Sequence, residues 1–181
     1  MKKRFDRDLY NLYDNAAKNG ALRFLADHGA RELRPHSSRY GADVEYADAK
    51  GRHGKLEAEI KAVWTGGPFP YSDINVLGRK EKYFSTGTNL FMMAANYMDY
   101  MVIGGLDIIQ CPLVEVANRY VWKGELFYKV PLTLAVFGRF ETPVDTAPPL
   151  CDNCCMWQGY AVAPEGDAWT CMGCAHEQRP K

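Results

Sequence analysis

Apolar residues recur at three- and four-residue steps over residues 5 to 28, through Phe5, Leu9, Leu12, Tyr13, Ala16, Ala17, Leu22, Phe24 and Leu25. That spacing predicts an amphipathic helix, weakened at Gly20 and stopped by Gly29 after His28. The period then drops to two. Residues 42 to 47 read as a short strand, and Asp48-Ala-Lys-Gly51 as a turn. Residues 55 to 64 read as a second strand, with Leu56, Ala58, Ile60, Ala62 and Trp64 on one face and Glu57, Glu59 and Lys61 on the other. Residues 65 to 71 form a Gly- and Pro-rich loop, and further helix is expected around residues 73 to 84. Strand-length apolar runs follow at 89 to 96 and 100 to 103, then a hairpin over 121 to 130 turning at Lys123-Gly124, then a strand over 132 to 137. A helix followed by strands, with more helix between them, predicts an α/β (α+β) fold with a mixed central sheet flanked by helices.

The chain of 181 residues has room for one ordinary domain and a small appendage. Pro143, Pro148 and Pro149 bracket an apolar-poor stretch after the last predicted strand, which divides a core of residues 1 to 143 from a linker and small module over 144 to 181. With 47% apolar and 13% aromatic residues, the chain can build a core and is not of the disordered class. No apolar run approaches the ~18 residues of a membrane-spanning helix, so no membrane partner is expected. Net charge is zero, so a nucleic-acid partner has to be held by a local basic patch, for which Arg79, Lys80 and Lys82 and the N-terminal Lys2, Lys3 and Arg4 are the candidates.

Cys151 and Cys154, then Cys171 and Cys174 after a spacer of 16 residues, make two C-x2-C pairs. Four thiolates at about 2.3 Å close a tetrahedral shell around Zn²⁺ and leave no position for substrate, so this site is structural. Two disulfides are the alternative. The opening Met-Lys-Lys-Arg turns polar without the apolar region of a signal peptide, and Cys111 and Cys155 leave no tidy disulfide framework. A reducing intracellular location follows, cytoplasmic or that of a viral protein working inside its host. Cys155 and His176 are alternative zinc ligands. A module of this size holds too little apolar material to fold without the metal.

The chemistry is then sought on the charged face of the second strand. If the two strands pair as a hairpin, Asp43 approaches Glu59, since directly opposed side chains lie ~5 Å apart. Two carboxylates so placed repel unless a cation lies between them, and hard oxygen ligands suit Mg²⁺ or Mn²⁺. Lys61 stands ~6.6 Å further along the same face. A solvated charged face is the plain alternative, and Glu57 is an alternative ligand to Glu59.

These residues resemble the PD-(D/E)XK nuclease superfamily, the restriction-endonuclease-like fold. Ala42-Asp43 stands where that family has Pro-Asp, Glu59-Ile60-Lys61 matches its E-x-K, and the helix-strand-strand order of residues 5 to 64 agrees. The resemblance implies that Asp43, Glu59 and the Ile60 carbonyl hold Mg²⁺ or Mn²⁺, and that Lys61 orients or deprotonates the attacking water. Two departures stand out. The proline is absent, and the first helix lacks the glutamate that many members use as a further ligand, Asn19 being nearest to that place and Asp14 second. The implied activity is hydrolysis of DNA phosphodiester bonds, with a C-terminal zinc ribbon gripping substrate or a partner, and Trp157, Tyr160 and Trp169 available for stacking on bases. Cutting both strands of a duplex from one active site would call for a homodimer. An RNA-processing nuclease and a non-catalytic binding module are the rival readings.

Overall fold

The computed structural model describes residues 6–35, 41–117, 124–146, 160–162 and 169–171. The first helix, α1 (Arg7–Asp27), is capped by Asp6, whose side chain accepts the Leu9 N–H at 3.0 Å. It ends at Gly29, whose φ of 76° is the left-handed conformation that stops a helix. The strands that follow are β1 (Glu32–Pro35), β2 (Val44–Ala47), β3 (His53–Lys61), β4 (Asp73–Leu77), β5 (Asn89–Ala94) and β6 (Asp99–Ile103). After them come β7 (Leu113–Val116), β8 (Glu125–Pro131), β9 (Ala135–Arg139), β10 (Tyr160–Val162) and β11 (Trp169–Cys171). Two one-turn helices, α2 (Glu81–Phe84) and α3 (Gly105–Ile108), lie between them.

Among the described residues the strands form two sheets. The larger has the order β11-β10-β1-β2-β3-β5-β6-β9, and the smaller β4-β8-β7. The β3–β5 pair is parallel and the others are antiparallel, so the large sheet is mixed, and helices flank it. A parallel neighbour requires a crossover. Here the crossover contains β4, a 3₁₀ turn (Gly78–Lys80) and α2.

The middle of the large sheet, at β3 and β5, is covered on both faces. Leu56 and Ala58 of β3 and Phe91 and Met93 of β5 pack against Ala16, Ala17, Ala21, Leu22 and Leu25 of α1. On the opposite face, Leu90, Met92 and Ala94 meet Ile74, Val76, Tyr128 and Val130 of the smaller sheet and Phe84 of α2. Double burial explains why β5 reads as a continuous apolar run rather than an alternating one.

Several expected elements differ. Residues 73 to 84 are not one helix. Ile74 and Val76 point one way from β4, and helix begins only after the 3₁₀ turn. β-Branched Ile and Val at alternate positions favour the strand. The hairpin placed over residues 121 to 130 is built instead from β7 and β8, with Val116 opposite Glu125. Ala62 and Trp64 do not continue the α1-facing side of β3. The Trp64 N–H reaches the Lys61 carbonyl at 2.8 Å in a tight turn, which leaves Ala62 exposed and carries the Trp64 ring into the other core. Residues 142 to 145 are held against α1, where Arg23 donates to the Thr142 carbonyl at 3.0 Å and Asn19 to the Asp145 carbonyl at 2.8 Å.

Candidate functional site

In the β2–β3 ladder Val44 faces Leu56, so the next position outward sets Asp43 against Glu57. The expected opposition of Asp43 and Glu59 is therefore corrected by two residues. Asp43 Oδ2 accepts the Ala58 N–H at 2.9 Å, which pins the carboxylate to β3 where β2 runs out. Backbone N–H and C=O groups two residues apart on a strand point to the same side. The Ile60 carbonyl is thus directed, like the Ala58 N–H, to the side beyond the end of β2.

Glu57 and Glu59 share one face of β3, and between them lies Lys80 of the 3₁₀ turn, 2.9 Å from Glu57 Oε1 and 3.1 Å from Glu59 Oε2. At Glu57 and Lys80 this face is covered. Glu57 is only 7% exposed, and Lys80 is largely covered. Lys61 takes another route, its ammonium donating to the Asn75 carbonyl of β4 at 3.2 Å. Asp43 Oδ1 lies 3.7 Å from Lys18 of α1, which also binds Asp14 at 2.7 Å. Asp14 is therefore the α1 acid near this cluster, while Asn19 is engaged at Asp145.

The electrostatics follow from burial and crowding. Loss of water and the neighbouring Asp43 carboxylate push the Glu57 carboxyl up to about 7, against the pull of Lys80. Burial also raises Asp43, in spite of its bond from Ala58 and the nearby lysines. Burial alone would lower Lys80, yet the carboxylates of Glu59 and Glu57 outweigh it and hold the amine firmly protonated. Two buried side-chain oxygens among the described residues have no hydrogen-bond partner, Glu57 Oε2 and Asn75 Oδ1. One is in the cluster itself and the other is on the residue whose carbonyl receives Lys61.

Of the basic residues 79 to 82, Lys80 is turned inward to the carboxylates, which corrects its reading as a surface phosphate contact. Arg79 and Lys82 are exposed, Arg79 lying 3.6 Å from Glu125 and Lys82 over the Tyr83 ring. Among the described residues no three His, Cys, Asp or Glu side chains stand grouped as a ready-made metal site, Asp43 being engaged by Ala58 and Lys18 and the two glutamates by Lys80. Cys151, Cys154 and Cys174, with Cys155, Trp157 and His176, lie outside the described residues, as do Lys2, Lys3, Arg4 and His36. Cys171 closes β11, and β10 pairs with β1, Leu33 facing Tyr160. His28 Nδ1 lies 2.7 Å from the Phe24 carbonyl at the end of α1.

Sequence reasoning placed Lys80 near the site but with the wrong partner, and gave Lys18 no role. An Asp14-Lys18 spacing of four on one helix was the available signal for the second. None existed for the first, because its direction depends on the β4 crossover. No helix among the described residues is long and apolar enough to cross a membrane. No family model, curated protein or solved structure gives a significant match to this chain.

Proposed function

We propose that this chain is a metal-dependent nuclease hydrolysing phosphodiester bonds of DNA, with Asp43, Glu59 and the Ile60 carbonyl holding Mg²⁺ or Mn²⁺ and Lys61 serving the attacking water. The observation that carries this reading is a group of carboxylates with one oxygen unserved: Asp43, just before β2, and Glu57 and Glu59 of β3 lie together, and the buried Glu57 Oε2 has no hydrogen-bond partner. Enclosed carboxylates without enough positive charge are costly, and a divalent ion with oxygen ligands relieves that cost. The donor set is all oxygen and carboxylate-rich, which fits Mg²⁺ or Mn²⁺ and not a soft metal.

When bound, such an ion supplies Lewis acidity and lowers the pKa of its water. The protein's own contribution is positional. β3 is hydrogen-bonded to β2 at its start and to β5 along Leu56 to Lys61, which fixes Glu59, the Ile60 carbonyl and Lys61 in one register. Asp43 is fixed to the same strand through Ala58. Lys61 extends from this face beyond Glu59, where its ammonium can leave the Asn75 carbonyl to orient a water or offset charge growing on a phosphoryl group. The four cysteines are proposed to hold Zn²⁺ in a ribbon that helps grip nucleic acid or a partner.

The test is cleavage of plasmid, single-stranded DNA and RNA with Mg²⁺ or Mn²⁺, comparing wild type with Lys61→Ala and Asp43→Ala. Each variant is expected to lose about 10²- to 10⁴-fold in rate. A wild type that cuts none of these substrates would sink the reading, and variants that cut as fast as wild type would show that the site lies elsewhere.

A further inference from the structure

Resting on that reading, we infer that Lys80 is the resident counter-ion of the carboxylate cluster: its ammonium fills the cation position, and a divalent ion enters only by displacing it. The geometry is that of two carboxylates closing on one ammonium. One nitrogen sits 2.9 Å from Glu57 Oε1 and 3.1 Å from Glu59 Oε2, with a side chain 17% exposed, in a cluster whose third carboxylate, Asp43, is opposite Glu57. An ammonium is a compact point charge with only three donors. It pairs one oxygen of each glutamate, while Lys18 stands 3.7 Å from Asp43, and it leaves Glu57 Oε2 without a partner.

A divalent ion bound by Glu59 would share that carboxylate with Lys80, which lies 3.1 Å from its Oε2. Two cations so close repel strongly in a covered site. Exchange rather than joint occupancy follows. The exit is short, since Lys80 ends a one-turn 3₁₀ segment next to exposed Arg79, and four rotatable methylenes can swing the amine to the surface without moving β3. Displacement also turns Lys80 from a buried ion-pair partner into an outward cation at the rim of the site, beside Arg79.

Mn²⁺ binding to the full, zinc-loaded chain, followed by the paramagnetic resonance of free Mn²⁺, separates the alternatives. Lys80→Met removes the competitor and keeps the stem, so it should bind Mn²⁺ at least ten-fold more tightly than wild type, whereas Lys80→Arg should gain nothing. In wild type, acetylation mapped by peptide should find Lys80 protected without metal and labelled several-fold faster once Mn²⁺ is added. Asp43→Ala should abolish that change. The labelling experiment decides the matter even if Lys80→Met does not fold. Equal Mn²⁺ affinity in wild type and Lys80→Met, with labelling unchanged by metal, would overturn the counter-ion role while leaving the nuclease reading intact. Failure of both proteins to bind Mn²⁺ would overturn the two together.

Discussion

Asp99 and Glu57 are equally buried carboxylates, each 7% exposed, and their acidities move in opposite directions. Burial raises both. For Asp99 it is outweighed, because Asn96 donates at 2.6 Å, the Gly67 N–H at 3.0 Å and Arg139 at 2.7 and 2.9 Å, so the carboxyl falls below its usual range. Glu57 has Lys80 on one oxygen and a second acid opposite, and it rises. A carboxylate held below its unfolded value stabilises the fold at any pH above that value, ~3.9 for Asp, and the contribution is lost as pH falls through the folded one. Asp99→Asn should therefore cost about 2 to 3 kcal/mol near pH 7, as expected for charge-assisted bonds, and the deficit against wild type should shrink as the pH is taken below 4. Urea midpoints of the two proteins across that range measure it; a pH-independent deficit would assign the loss to shape alone.

At the scale of elements, local rules carried as far as the local chain decides the outcome. Asp6 and Gly29 bound α1, and Gly51, with φ 77°, completes the β2–β3 turn in which Asp48 accepts the Lys50 and Arg52 N–H groups. Gly20 is different: its low helix propensity weakens the helix there, but there is little room at that place for a side chain, with Met93 and Phe91 of β5 against it. In β4, Ile74 and Val76 alternate with the half-buried Asp73, Asn75 and Leu77, the period of a strand and not of a helix. A sharper case is Gly105, the first residue of α3. A Cβ there would collide with the Thr88 carbonyl, which is backbone and cannot swing aside. Gly105→Ala should destabilise the protein by about 2 to 4 kcal/mol, within the range for overpacking and backbone clashes, against the gain helix propensity would give an exposed site. Thermal denaturation of this variant beside a surface Gly→Ala control checks it; an unchanged midpoint would mean the α3 entrance relaxes freely.

Across the whole molecule, the second sheet changes the character of the predicted site. A charged strand face that would be solvated in an isolated sheet is roofed by β4 and the 3₁₀ turn, and this burial makes the carboxylates interact strongly. The C-terminal strands bear on the same sheet from its far edge, since β10 pairs with β1 at Glu32 and Leu33. If the cysteines hold zinc as proposed, a strong chelator under reducing conditions should lower hydrogen-exchange protection at the outer edge of β1 as well as in the tail, while β3, β5 and β6 keep theirs. Protection at Glu32 and Leu33 that does not respond to chelation would separate that edge from any metal.

The residues themselves determined α1 and its stop at Gly29, the β2–β3 turn, the apolar strand β5 and the candidate chemistry of Asp43, Glu57, Glu59 and Lys61, because hydrophobic period, helix-stop and turn rules act over a few neighbouring positions. Which carboxylate meets Asp43, where Lys80 and Lys61 point, and whether the charged face is wet or dry were decided by strand register and by a crossover that returns β4 over β3. Those are contacts between distant segments, chosen by how two sheets and a helix bury their faces together, and no local pattern along the chain encodes them.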